Sequence, residues 1–234
     1  MSYQQIRKEL IHAASTERAL TMQRFFKTGK GEYGEGDKFH GVSVPQQRII
    51  AKHYFKDTDA ETIIALLHSD FHEERLTAIF ILISKFKEDL KKAQEKVWVD
   101  LYLQHTHRIN SWDLVDSSAH LILGKWLEDK DRSLLLKLAK SKLLWDNRIA
   151  IVATLHFIRN KDYKDIFELA PIMFNHPHDL MHKATGWMLR EVWKQNKNIV
   201  EEFLDKHASL MPRTMLRYTI EKMEEGKRKR YLGI

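Results

Sequence analysis

The chain has 234 residues, of which 43% are hydrophobic and 30% charged, and it carries a net charge of +7. This hydrophobic fraction excludes a disordered chain, and the scarcity of Gly (9) and Pro (4) argues against an all-β fold with many tight turns. Cys is absent, which excludes disulfides and thiolate chemistry. The positive charge favours a polyanionic partner, with nucleic acid ahead of an anionic membrane.

The first 58 residues are predicted to form N-terminal helices joined by a Gly-rich loop. Apolar periodicity predicts one helix over 6–26, and a further helix begins near Gln46 after the loop Gly29–Asp37. Glycines at 29, 31 and 34 match G-x-G-x-x-G, but that motif binds dinucleotides only between a strand and a helix. Since a long helix precedes it here, we interpret the segment as a loop between helices.

Residues 59–225 are predicted to form helical repeats. Five related stretches begin 38, 35, 35 and 30 residues apart, at Arg75, Asp113, Arg148, Lys183 and Arg213. A predicted partner helix precedes each of them, at 60–67, 92–103, 133–139, 163–173 and 199–204. Two helices per unit at this period are typical of a HEAT-like repeat. We therefore predict a single all-α domain, a curved HEAT-like solenoid with a concave basic groove, followed by a solvated basic tail at 226–234.

The sequence also predicts where the protein resides and what it does not bind. No apolar run approaches the ~18 residues that a membrane span requires, and residues 1–7 lack the apolar core of a signal peptide. With no Cys, these features predict a cytoplasmic protein, nucleoid-associated if bacterial. The 13 His residues show no ligand spacing with an acidic partner. We expect no metal, no cofactor, no membrane contact and a monomer.

Trp112 and Asp116 form the most distinctive pair in the repeats. They lie four residues apart, so on a helix they share a face. The other repeat stretches carry apolar or small residues at the position of Asp116, and a carboxylate there needs a partner or a function. Taken singly, Trp112 could be a core residue, and Asp116 a helix cap or an ion-pair partner of Arg148.

Further cationic and aromatic residues fall on the following repeats. Lys183, Trp187 and Arg190 share a helix face by their spacing, and Arg148 stands at the repeat position that corresponds to Asp113 and Lys183. If the repeats stack, two Trp, one Asp and several cations converge on one groove.

These residues carry a resemblance to a known family. The segments Ser111-Trp-Asp-Leu-Val-Asp-Ser117, Asn147-Arg-Ile-Ala and Lys183-Ala-Thr-Gly-Trp-Met-Leu-Arg-Glu191 resemble motifs of the AlkD-type DNA alkylation repair proteins, which are HEAT-like-repeat DNA glycosylases. The resemblance implies excision of cationic alkylated purines, of the 3-methyladenine and 7-methylguanine type, from double-stranded DNA. It also implies that the damaged base is not flipped into a pocket.

The resemblance assigns roles by position. Asp116 matches the family's catalytic carboxylate, Trp112 and Trp187 match aromatic walls around the deoxyribose of the lesion, and Arg148 and Arg190 match residues at the DNA backbone. We expect Lys183 to bind the backbone as well.

The chain departs from the family pattern at several positions. Ser111 replaces the first of two tandem Trp, Phe25 stands where a Tyr is expected, and Ser43 where a Gln is expected. The Gly29–Asp37 loop is longer than in the pattern.

Two alternative functions stay open from the sequence. The first is a non-catalytic HEAT-like protein that binds bent, branched or damaged DNA. The second is a protein-binding scaffold, although the basic residues at 148, 183 and 190 count against it.

Overall fold

The computed structural model describes residues 2–233, and over that range 71% of the chain lies in 14 helices and no strand forms. The prediction of an all-α class is therefore confirmed. The chain divides after Ser118 into two units, called here the first unit and the second unit. The predicted single domain, its segment boundaries at 58 and 226, the curvature of the solenoid and the concave basic groove stay predictions.

The first unit contains seven helices, and the longest of them, α5 (His72–Leu90), packs against most of the others. Apolar residues 78–83 of α5 are all buried, as their unbroken apolar run predicts. The helices are α1 (Tyr3–His12), α2 (Thr16–Phe25), α3 (Val44–Tyr54), α4 (Ala60–Leu67), α5 (His72–Leu90), α6 (Lys96–Gln104) and α7 (Trp112–Ser118).

The prediction of one helix over 6–26 was wrong, because the segment forms two helices, α1 and α2, with a non-helical turn between them. Ser15 has an extended backbone and caps α2, its side-chain oxygen accepting a hydrogen bond from the Arg18 N–H. The Ser15 N–H in turn donates to the His40 carbonyl at 3.0 Å. Ser favours helix N-caps over helix interiors because its hydroxyl replaces a missing backbone partner. Apolar periodicity continued through the break and concealed it.

Buried carboxylates in the first turn of α5 hold the N-terminal segments in place. Glu73 is fully buried and accepts hydrogen bonds from the backbone N–H groups of His40, Gly41 and Val42 at 3.1, 2.7 and 3.2 Å. Such charge-assisted bonds replace the water that a buried carboxylate loses. The segment between the Gly-rich loop and α3 is thereby fixed against α5.

The neighbouring Glu74, also fully buried, anchors α1. Its carboxylate accepts hydrogen bonds from the Tyr3 hydroxyl at 2.8 Å and Arg7 Nε at 3.1 Å, and pairs with His40 Nε2 at 2.9 Å. One side chain therefore ties α1 and the 40–42 segment to α5.

The second unit also contains seven helices. In it α9 packs against α8 and α11, and α11 packs against α12 and α13. A π-helical turn covers His120–Gly124 and a 3-10 turn covers Ala170–Met173. The helices are α8 (Ser133–Ala139), α9 (Leu144–Arg159), α10 (Lys164–Leu169), α11 (Asp179–Gln195), α12 (Lys197–His207), α13 (Arg213–Ile220) and α14 (Glu225–Leu232).

The five repeat stretches all lie on helices, namely α5, α7, α9, α11 and α13. The partner helices α4, α6, α8, α10 and α12 alternate with them along the chain. The order of elements therefore agrees with the predicted two-helix repeat.

The basic run at the end of the chain differs from the predicted tail, because it is helical. In α14, Lys227 pairs with Glu201 at 2.6 Å, and Arg230 pairs with Asp205 at 2.9 Å. These exposed pairs with α12 compensate the like charges within the run.

No helix within residues 2–233 combines the length and the apolar character that crossing a bilayer requires.

Helices α11 and α13 approach each other closely at Gly186. A Cβ at Gly186 would lie 2.5 Å from the Met215 carbonyl oxygen and 2.6 Å from the Tyr218 Cβ. We expect Gly186→Ala to lower the free energy of unfolding by about 1–3 kcal/mol, because backbone must move to admit the methyl group. Chemical denaturation measures the change.

Gly226→Ala is the matched control. A Cβ there meets no heavy atom within 4 Å, and the position lies in α14. Its stability should stay unchanged or rise slightly, since Ala favours the helix over Gly. Equal loss in both variants would contradict the packing argument.

Candidate active site

The short helix α7 presents Trp112 and Asp116 together. Leu114 and Val115 are fully buried and fix the inner face of the helix, whereas Trp112 and Asp116 are only half-buried. Since the two residues are four apart on one helix, their side chains project from the same face. The first unit therefore carries the indole and the carboxylate on one face of a helix, as the spacing predicts.

The ring of Trp112 is held by three other aromatic residues. Phe26 stacks on it with centroids 5.5 Å apart and planes at 18°, and Phe25 meets it edge-on at 5.8 Å. The indole Nε1–H donates to the Tyr33 hydroxyl at 3.1 Å. Such contacts fix the orientation of the indole beyond what burial alone provides. Phe25 is 63% exposed, so this cluster reaches the surface.

The Gly-rich loop supplies Tyr33 and is tied down by its own backbone. The Gly34 N–H donates to the Lys27 carbonyl at 3.2 Å, and the Asp37 N–H donates to the Gly34 carbonyl at 3.1 Å. The loop follows α2, and no strand precedes it in the described part of the chain. It is a connection between helices, as predicted.

A buried network of charges lies behind Trp112. His72 Nε2 is 2.8 Å from Asp113 Oδ2, and His72 Nδ1 is 3.3 Å from Asp37 Oδ2. Arg75 Nη2 donates to the same Asp37 oxygen at 2.7 Å. The exposed fraction of the side chain is 0% for His72, 15% for Asp113, 7% for Asp37 and 1% for Arg75. Two carboxylates and two cations balance, as a buried ionic network requires.

The network shifts the pKa of both His72 and Asp113. Burial lowers the pKa of His72, but the Asp113 carboxylate and the hydrogen bonds to Asp113 and Asp37 outweigh it and raise this pKa to about 9. Burial raises the pKa of Asp113, yet the charge and the hydrogen bond of His72 lower it overall. His72 is therefore cationic and Asp113 anionic at neutral pH.

Sequence reasoning missed this network. It treated Asp113 only as the repeat counterpart of Arg148 and Lys183. A signal was present, since the run His72-Glu-Glu-Arg75 places four ionisable residues directly before an apolar helix. All four are buried, and charges in such a position require partners.

In the second unit, Trp187 and Arg190 lie on α11. The Trp187 indole is half-buried, and its Nε1–H donates to Glu191 Oε1 at 3.1 Å. Arg190 is 15% exposed, forms an ion pair with Glu221 and lies over the Tyr218 ring at 6.0 Å. Both side chains are held by acids of this unit, Glu191 on α11 and Glu221 directly after α13.

Arg148 and Lys183 occupy different environments. Arg148 is 5% exposed, and its Nη1 donates to the Leu180 carbonyl at 2.6 Å, which joins α9 to the start of α11. Lys183 is 39% exposed and pairs with Asp179 at 2.6 Å. Lys183 is accessible to a ligand, whereas Arg148 also supports the packing of α11.

The structure thus brings the predicted residues together in two sets. Trp112 and Asp116 share a face of α7, and the cations and Trp187 lie on α9 and α11. Convergence of both sets on one groove stays a prediction, as do the roles of the individual residues.

The residues that depart from the family pattern have structural roles. Ser43 caps α3, its hydroxyl donating to Gln46 Oε1 at 2.7 Å. Ser111 is buried and its carbonyl accepts the Val115 N–H at 3.2 Å, which begins α7. Phe25 contributes the exposed edge of the cluster around Trp112.

Among residues 2–233, no three His, Asp or Glu side chains are placed as a metal site requires.

The network around His72 predicts a dependence of stability on pH. The pKa of His72 rises from 6.5 to about 9 on folding, so its contribution is complete below pH 6.5 and is lost as pH rises through 9. This difference corresponds to roughly 3 kcal/mol. We expect the free energy of unfolding to fall between pH 7 and 10 more steeply in the wild type than in His72→Gln.

His53→Gln is the control, since His53 is exposed on α3. It should keep the wild-type slope of stability against pH. Denaturant titrations at several pH values measure the three slopes, and a wild-type slope in His72→Gln would contradict the assignment.

Comparison with known proteins agrees with this fold. A solved structure described as "Predicted DNA alkylation repair enzyme from Enterococcus faecalis" is similar to this chain with a TM-score of 0.68 and 17% sequence identity, over 91% of this chain and 97% of that one. At this identity the similarity shows the fold alone. No curated protein matches the chain.

The sequence profile of the DNA alkylation repair enzyme family matches residues 6–223. This range includes Trp112, Asp116 and every predicted residue on α9 and α11. Because the match spans nearly the whole chain, the protein belongs to the DNA alkylation repair enzyme family and has a role in DNA repair, with DNA as its substrate.

Proposed function

We propose that the protein is a DNA glycosylase that hydrolyses the N-glycosidic bond of cationic alkylated purines in double-stranded DNA. The observation that carries this proposal is the pair on α7, in which Asp116 lies one turn from an indole held by Phe26 and Tyr33. Family membership supports DNA as the substrate, and the Trp112–Asp116 pair supports hydrolysis of the glycosidic bond as the reaction.

The chemistry requires little from the protein at the leaving group. A purine alkylated at N3 or N7 already carries positive charge and departs as a neutral base, so no strong general acid is needed. The sugar develops oxocarbenium character as the bond breaks. A fixed carboxylate stabilises that charge and orients the attacking water. Asp116 is the residue we assign to both tasks.

Trp112 complements this role. The face of an indole attracts a cation through the quadrupole of the ring. The contacts with Phe25, Phe26 and Tyr33 fix the ring before DNA binds, so little conformational entropy is lost on binding. We assign Trp187 a similar role against the sugar.

Lys183 and Arg190 are proposed to bind the DNA backbone. Each forms an ion pair with an acid, Asp179 and Glu221, in the absence of DNA. The pair between Lys183 and Asp179 is solvent-accessible and contributes little stability, so exchanging Asp179 for a phosphate costs little. Arg148 is also proposed to bind the DNA backbone, and its guanidinium supports the start of α11.

Base release tests the catalytic assignment. We expect the wild type to release methylated purines from methylated duplex DNA and Asp116→Asn to release them about 100- to 1,000-fold more slowly, because a preorganised charge is lost. DNA affinity should change little. The measurements are single-turnover base release and DNA binding by fluorescence anisotropy.

Asp100→Asn is the matched control, because Asp100 is a partly exposed carboxylate on α6 that pairs with Lys96. It should keep the wild-type rate. Full activity in Asp116→Asn would refute the mechanism. Salt-dependent DNA binding without base release by the wild type would favour a non-catalytic DNA-binding protein.

Salt dependence tests the backbone assignment. We expect Lys183→Gln to weaken DNA binding for all sequences and to reduce the slope of log K against log salt by about 1, since one phosphate contact is lost. Lys164→Gln is the control, because Lys164 also pairs with an acid that is four residues away, Glu168. Equal effects of both substitutions would show a general charge effect.

A further inference from the structure

His72 is connected to Trp112 by two routes. The first runs through Asp113, which accepts from His72 Nε2 at 2.8 Å and directly follows Trp112 in the first turn of α7. The second runs through Phe26, whose ring lies 4.5 Å from the His72 ring and 5.5 Å from the Trp112 ring. A change at His72 therefore acts on both the backbone and the ring of Trp112.

The hydrogen bonds require both ring nitrogens of His72 to carry a proton. Nδ1 faces Asp37 and Nε2 faces Asp113, and an ionised carboxylate only accepts hydrogen bonds. A neutral imidazole has one donor, so it would leave one of these carboxylates opposite a lone pair. The geometry therefore specifies an imidazolium.

The charged groups around His72 favour its protonated state. Asp113 faces His72 from α7, and Asp37 faces it from the Gly-rich loop. Arg75 lies on α5, the same helix as His72, and bonds to Asp37. Loss of the His72 proton leaves two buried carboxylates with one cation. Buried unpaired charge is costly, so α7 or the loop must move to relieve it.

We propose that His72, held as an imidazolium between Asp37 and Asp113, is a positioning residue that sets the place of Trp112 beside Asp116. It touches neither DNA nor the reacting atoms and acts through Asp113 and Phe26. The Gly-rich loop belongs to the same device, because it supplies Asp37 to His72 and Tyr33 to the Trp112 indole. This inference rests on the proposed function for its catalytic consequence, but not for its structural one.

The structural consequence is measurable without any activity. The protein is labelled with 5-fluorotryptophan, and the resonance of Trp112 among the six tryptophans is assigned with Trp112→Phe. The pKa of His72, raised to about 9, sets the pH range. In the wild type we expect the Trp112 resonance to shift with a midpoint near pH 9. His72→Gln and Asp113→Asn should each abolish that titration.

The catalytic consequence is measured in the same variants. At pH 7 we expect His72→Gln to slow single-turnover base release about 10- to 100-fold with DNA affinity nearly unchanged, because the indole is displaced rather than removed. Glu74→Gln is the matched control. Glu74 is equally buried on the same turn of α5, but it bonds to Tyr3, Arg7 and His40 and should keep both the rate and the titration of Trp112.

The outcomes separate the two proposals. A Trp112 resonance that does not titrate in the wild type overturns the positioning role, and once the resonance is assigned this result needs no variant of His72 or Asp113 to fold. A wild-type titration that persists in His72→Gln overturns it as well. Titration of Trp112 in a protein that releases no base supports the positioning role and refutes the glycosylase.

Discussion

The buried charges in the first turn of α5 hold the first unit together. Glu73 and Glu74 bind the segments that precede them in sequence, and His72 and Arg75 bind Asp37 and Asp113. One helical turn thus joins α1, the Gly-rich loop, the 40–42 segment and α7. Such a junction is stable only when every charge has its partner, since desolvation of each ion costs several kcal/mol. Within this turn, His72 is the residue that bonds to α7, through Asp113, and it orders the site there.

The chemistry we propose depends on rigidity more than on the number of catalytic groups. A cationic base leaves readily, so a single carboxylate and an aromatic face suffice if they are fixed before the substrate arrives. The ring of Trp112 contacts two phenylalanines and a tyrosine, which fits this requirement. A helical repeat fold suits it as well, because α7 cannot rotate without disturbing the buried residues Leu114 and Val115.

The sequence predicted correctly those features that depend on residues close together in the chain. Helix α4 begins after Asp59, which caps it, and residues 133–139 form a helix as their pattern predicts. The pairing of Trp112 with Asp116 follows from helical spacing alone. The break at Ser15 was missed because a cap interrupts a helix without interrupting its apolar period. The His72 network was missed because its partners lie 35 and 41 residues away, a separation that no local pattern encodes.

The neutrality of the His72 network has a consequence for sequence change in this family. Its two carboxylates and two cations balance only as a set, so loss of one member leaves an uncompensated charge in the interior. A tolerated change therefore replaces an acid and a base together, or all four by apolar residues of similar volume. Within the family, Asp37, His72, Arg75 and Asp113 should be exchanged in oppositely charged pairs, and their joint variation marks chains in which the Gly-rich loop is held differently.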